Sequence, residues 1–208
     1  MFGEVGQRCS TSAGTFRDYT SMGNAQNIFI YGAPGAGKTT LSIALHKCLA
    51  RPVVEGDYLR EVVAQKEKTE QDDPFVHVGV KEAFRRFGEL TEEHVIKGLK
   101  AVRRSMAPYV ASEIAKHRGD LILEAAFLDP QEIKRHGRLI LVTTSDEQKH
   151  RNQYFAQRVQ DQDHAETFQA ARMIQAYLIE EAKAFPVTIV DNDTDVKTII
   201  TKLDDRKS

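Results

Sequence analysis

Eight residues near the start of the chain constrain it most: Gly32-Ala33-Pro34-Gly35-Ala36-Gly37-Lys38-Thr39. They follow an apolar run, Asn27-Ile28-Phe29-Ile30-Tyr31, and lead into a helical period from about Lys38 to Ala50. A buried strand, a glycine-rich turn and a helix N-terminus, in that order, aim backbone N–H groups at an anion. The glycines let the main chain wrap a phosphate closely. Lys38 reaches the outer phosphates of a nucleoside triphosphate, and the Thr39 hydroxyl can ligate Mg²⁺. ATP and Mg²⁺ are therefore the expected ligands. Gly32, Ala33, Pro34, Gly35, Ala36, Gly37, Lys38, Thr39 and Thr40 are the expected nucleotide-binding residues. The motif alone does not separate a kinase from a motor or a switch.

The rest of the chain alternates short apolar runs with helical periods. Strands are expected at Pro52-Val53-Val54, Leu121-Ile122-Leu123-Glu124, Leu139-Ile140-Leu141-Val142 and Pro186-Val187-Thr188-Ile189-Val190. Helices are expected over Tyr58 to Lys68, Thr91 to Arg118 with a kink or break at Pro108, and Glu166 to Phe185. A last one starts at Asp193 or Thr194 and carries Val196, Ile199, Ile200 and Leu203. Asp129 should cap a short helix with Pro130 at its first position. Apolar rather than alternating strands imply a parallel sheet covered on both faces. The expected fold is a three-layer α/β P-loop kinase fold, with a five-stranded sheet of order 2-3-1-4-5 and a short lid. Residues 1–26 read as a flexible tail, whose Met22 is a candidate start, and 27–208 as the P-loop kinase domain.

Composition narrows the function classes. Lys and Arg number 29 against 30 Asp and Glu among 208 residues. That balance, with no basic stripe, argues against a nucleic-acid partner. No apolar run approaches the roughly 20 residues of a membrane span. Two cysteines, Cys9 and Cys48, read as free thiols in a cytoplasmic protein, possible as a homodimer.

Strand ends mark the candidate chemistry, because ligands of such sheets sit beyond the carboxyl ends of the strands. Asp57, nineteen residues after Lys38, can face the γ-phosphate and accept a proton from an attacking hydroxyl. Its bland reading is a helix cap. Arg60, one turn on, can clamp an anionic substrate. Glu124 ends a central strand, where a carboxylate is costly unless used or paired. It can hold the Mg²⁺ hydration shell together with Thr39, or a substrate group. No Asp-Glu pair of a motor ATPase ends that strand. His150, Arg151 and Arg158 follow the fourth strand as a basic lid, with Arg158 the catalytic cation and Arg151 a substrate contact. Asn192 follows the fifth strand beside the expected adenine site.

The order of these pieces resembles the 2-phosphoglycerate kinase family of P-loop kinases. The resemblance rests on the P-loop, on Asp57-Tyr58-Leu59-Arg60-Glu61 and on Leu123-Glu124 with Pro130 after it. It continues through His150-Arg151 and Arg158, Arg172-Met173-Ile174-Gln175-Ala176-Tyr177-Leu178, and Val190-Asp191-Asn192. It spans roughly Asn27 to Leu203 and admits the similar mevalonate-3-phosphate 5-kinases. It implies ATP-dependent transfer to a primary hydroxyl of a small phosphorylated hydroxy acid. Two segments depart from the family: Glu124-Ala125-Ala126-Phe127 and His77-Val78-Gly79-Val80-Lys81. Both would lie near the acceptor, and they tilt the expectation toward mevalonate 3-phosphate over 2-phosphoglycerate. The rival of another class is a regulatory nucleotide-binding NTPase.

Overall fold

The computed structural model describes residues 26–117, 119–156 and 162–204, excepting the side chains of 162, 163, 197, 203 and 204. Strands β1 (Asn27–Tyr31), β2 (Val53–Glu55), β3 (Ile122–Glu124), β4 (Gly137–Thr143) and β5 (Val187–Asp191) form one sheet. The order is β2-β3-β1-β4-β5, as expected, and every pair is parallel.

The two-residue period of the strands sorts their side chains into two cores. Phe29, Tyr31, Leu121, Leu123, Leu139 and Leu141 face one side of the sheet, and Ile28, Ile30, Ile122, Ile140 and Val142 the other. All five residues of β1 are buried, which fixes it as the centre of the sheet. Short β2 is only half-buried, and Ile189 of β5 is exposed, as edge strands tolerate.

Helices α1 (Lys38–Leu49) and α8 (Val196–Asp204) pack on the second face. Helices α4 (Glu92–His117) and α7 (Gln162–Ala182) cover the first. Thr91 caps α4 by accepting from the His94 amide at 3.2 Å. Of the kink or break expected at Pro108, the break does not occur: α4 runs through it. Val102, Met106 and Val110 around it are buried, and that packing outweighs the roughly 3 kcal/mol of an interior proline.

The expected helix after β2 is a composite. It runs from α2 (Gly56–Tyr58) through a π-helical stretch, Leu59–Ala64, to α3 (Gln65–Glu67). A 3-10 turn, Ala83–Arg86, precedes α4. Asp129 caps α5 (Pro130–Ile133), accepting from the Gln131 amide at 2.9 Å. The segment expected as a loop-to-helix lid contains α6 (Glu147–Phe155), capped by Asp146. Arg158 lies outside the described residues. The final helix starts at Val196, later than expected, with the Asp195 carboxylate accepting from the Thr198 amide at 3.3 Å. Cys48 is half-buried and in no disulfide among the described residues, while Cys9 lies outside them. No helix among the described residues is long and apolar enough to cross a membrane.

Candidate active site

The glycine-rich loop leaves β1 at Gly32, where a β-carbon would collide with the Val142 carbonyl oxygen of β4. It ends at Gly37, the N-cap of α1, whose φ of 93° suits glycine. A β-carbon there would meet the Asn192 amide nitrogen at 2.9 Å. The loop after β5 is thus set against the start of α1. Asn192 also donates to Gln153 Oε1 at 2.6 Å and to Thr144 Oγ1 at 3.4 Å. The neighbouring Asp191 carboxylate accepts from the Ser145 amide at 2.9 Å.

Lys38 Nζ curls back to donate to the Ala33 carbonyl at 3.1 Å. Thr39 Oγ1 donates to Glu124 Oε1 at 2.9 Å. Glu124 is 6% exposed. Burial pushes its carboxyl pKa up; Lys38 and Thr39 pull it back, and Asp57 and Glu55 add to the rise. A hydroxyl and a carboxylate side by side are hard oxygen ligands that fit Mg²⁺. That ion takes few protein ligands and keeps waters and phosphate oxygens for the rest. No cluster of three or more His, Cys, Asp or Glu that could hold a metal ion exists among the described residues.

Across from the loop stands Asp57, its side chain 81% exposed and 3.3 Å from Arg60 Nη2. It lies inside the first helical turn. The N-cap is Glu55, with no side-chain cap bond, so Asp57 is not the cap. Arg60 also reaches Glu61 Oε1 at 2.8 Å. One cleft of about 470 Å³ gathers Pro34, Gly35, Lys38 and Thr39 with Asp57, Arg60 and Glu124. A larger groove of about 1020 Å³ runs between α4 and α5, but no P-loop residue lines it. The smaller cleft is therefore the candidate site.

Of the expected basic lid, the described residues His150 and Arg151 do not line the cleft. The Arg151 guanidinium stacks over Phe155 and Phe168, 5.1 and 5.6 Å from the ring centres. His150 is buried. Sequence reasoning also missed Lys81, which lines the cleft. It pairs with Glu82 Oε1 at 3.3 Å and sits 5.4 Å over the Tyr154 ring. The available signal was a lone cation in the segment that departs from the family pattern.

The Ile-Gln-x-Tyr-Leu stretch on α7 has a structural explanation. Gln175 bonds both backbone groups of Thr144, accepting from its amide at 2.9 Å and donating to its carbonyl at 3.0 Å. Tyr177 donates to Glu181 Oε1 at 2.9 Å.

The same architecture recurs in solved structures. A shikimate kinase from Bacteroides thetaiotaomicron is 18% identical, with TM-score 0.53, covering 87% of this chain and 97% of its own. A shikimate kinase from Acinetobacter baumannii, in complex with shikimate, is 16% identical, with TM-score 0.50 and coverages of 85% and 89%. A gluconokinase from Sinorhizobium meliloti 1021 is 13% identical, with TM-score 0.50 and coverages of 86% and 90%. These likenesses establish the fold. No curated protein matches the chain by sequence. Residues 27–198, from the first residue of β1 into α8, match a family model described as AAA domain, and the chain belongs to that family.

Proposed function

We propose that the protein is an ATP- and Mg²⁺-dependent kinase acting on the primary hydroxyl of a small phosphorylated hydroxy acid. One observation carries this reading. The phosphate-binding Lys38 and Thr39 share a single cleft with a solvent-open carboxylate, Asp57, and with Arg60. Asp57 accepts the proton of the acceptor hydroxyl as its oxygen bonds to the γ-phosphorus. The bond from that phosphorus to the bridging oxygen breaks, and ADP leaves. Mg²⁺, held by Thr39 and Glu124, would neutralise phosphate charge. Lys38 stabilises the transferring group, and Asn192 borders the nucleotide.

Arg60 and Lys81 on the acceptor side favour an anionic acceptor, since guanidinium contacts to phosphate and carboxylate are strong and directional. The shared fold with shikimate kinases and a gluconokinase supports a small hydroxyl-bearing substrate. Mevalonate 3-phosphate leads and 2-phosphoglycerate follows, on the family resemblance and its departures. Arg158 is proposed as the cation that meets the transferring phosphoryl group, and Arg151 as a contact to the acceptor's anionic groups.

The test is ADP release with a panel of phosphorylated hydroxy acids and their unphosphorylated counterparts. ADP should form only with acceptor, and kcat/KM should fall about 10²-fold or more without the acceptor's phosphate, near 3 kcal/mol. Acceptor-independent hydrolysis would overturn the kinase reading in favour of a regulatory NTPase.

A further inference from the structure

We infer that His150 is a positioning residue: it ties α6 and α7 to the phosphate-binding loop and holds that loop ready for nucleotide, through an imidazole that works only when neutral. The inference rests on the nucleotide-binding reading of the loop.

His150 has no solvent exposure. Its Nε2 lies 2.9 Å from the Pro34 carbonyl oxygen, and its Nδ1 lies 3.3 Å from Arg172 Nη1. A carbonyl only accepts, so Nε2 carries the proton. A guanidinium only donates, so Nδ1 is bare. Only the neutral Nε2–H tautomer satisfies both partners. The ring is fixed edge-on to Phe168, 5.3 Å between centres. Arg172 Nη1 also donates to the Thr144 carbonyl at 3.0 Å, and Gln175 holds both backbone groups of the same residue.

One turn beyond His150, Tyr154 packs against Gly35, where a β-carbon would sit 3.1 Å from its ring. The loop therefore rests on α6 at two consecutive residues, Pro34 and Gly35. The His150 bond occupies the Pro34 carbonyl, an oxygen that would repel phosphate if it turned into the nest of N–H groups.

Protonation would place a second N–H against the Arg172 guanidinium. The charged groups around the ring are Arg172 from α7, Lys38 from α1 and Glu147 from α6; Phe168 is neutral. Burial holds the imidazole pKa below its ordinary value. The Pro34 bond and Glu147 oppose that lowering, while Arg172 and Lys38 add to it. The brace is intact at neutral pH and fails in acid.

The test is titration with a fluorescent ADP, mant-ADP, across pH 5 to 8, alongside thermal melts. His150→Gln can donate to Pro34 and accept from Arg172 without titrating. It should stay within about threefold of the unsubstituted protein at pH 7.5 and lack its acid-side weakening. His150→Leu should bind about tenfold or more weakly at every pH while still melting cooperatively. Equal affinity in His150→Leu, or an unchanged acid limb in His150→Gln, would overturn the inference. If His150→Leu does not fold, the His150→Gln profile alone decides. Absence of mant-ADP binding by the unsubstituted protein would instead overturn the nucleotide reading, and this inference with it.

Discussion

Helices α4 and α7 are joined by one buried ion pair, and removing its carboxylate should be the most damaging single charge change in the fold. Arg103 donates to Glu181 twice, Nη1 to Oε1 at 2.7 Å and Nη2 to Oε2 at 2.8 Å. Their side chains are 3% and 15% exposed. Tyr177 adds a third bond to Glu181 at 2.9 Å. Burial, then the bond to Glu181, pushes the Tyr177 hydroxyl up to about 12, so it remains a neutral donor. Among the described residues the Arg103 Nε has no hydrogen-bond partner, so Glu181 is the carboxylate that bonds the guanidinium, with Asp129 adding only its charge.

Glu181→Gln keeps the shape and strands a buried cation. The cost of breaking such a pair from one side is about 3–5 kcal/mol. At about 2–4 °C per kcal/mol for a domain of this size, Tm should fall by roughly 6–20 °C. The pair need not be worth that much in itself, because desolvation of both ions offsets most of their attraction. Replacing both, Arg103→Met with Glu181→Leu, should therefore recover most of the loss. Urea and thermal unfolding of Arg103→Met, Glu181→Leu and the double variant give the coupling energy directly. A Glu181→Gln protein within about 1 kcal/mol of the parent would show that water reaches the guanidinium, and would refute the buried-charge argument.

Three further outcomes concern the cleft. Lys38→Ala should leave the fold intact and cut turnover by about 10²–10³-fold, the cost of one preorganised donor; near-parental kcat in a folded variant would remove Lys38 from the phosphate site. Asp57→Asn should keep ATP binding and lose about 10²–10⁴-fold in transfer, seen as a fall in kcat with unchanged mant-ATP affinity. Glu124→Gln should lose activity yet gain stability. The native pKa of Glu124 is raised above the ordinary 4.5, so the folded state binds more protons than the unfolded, and stability drops as pH rises through that window. The glutamine variant should melt higher than the parent at pH 8 and equally at pH 4; a lower Tm at pH 8 would mean the carboxylate is a net structural asset.

What the sequence makes legible here is the chemistry done by contiguous backbone. The five strands are apolar runs buried on both faces, so composition alone finds them, and parallel pairing follows from the helices between them. The phosphate loop is eight consecutive residues whose work is done by main-chain N–H groups, so its local pattern carries its meaning. Asp57 and Arg60 were singled out by their place just after a strand, and both line the cleft, from the helical turn and the π-helical stretch that follow β2. The residue the sequence misplaced, His150, and a pair it left unread, Arg103 and Glu181, share a different property: each is defined by a partner far away in the chain. His150 and Pro34 are 116 residues apart, Arg103 and Glu181 78. Read locally, His150-Arg151 followed by Arg158 is a short basic run, and nothing in that run distinguishes a cation that meets substrate from an imidazole buried under a loop. The distinguishing signal is on α7, where Arg172 and Gln175 lie three residues apart on one helix face and meet the same Thr144 carbonyl. Polar residues repeated on the inward face of a helix need buried polar partners. From that rule, the Arg172-Met173-Ile174-Gln175 stretch required an acceptor-rich neighbour such as an imidazole or a strand-end carbonyl. His150 and Thr144, on the segment leaving the adjacent strand β4, were the residues placed to supply it.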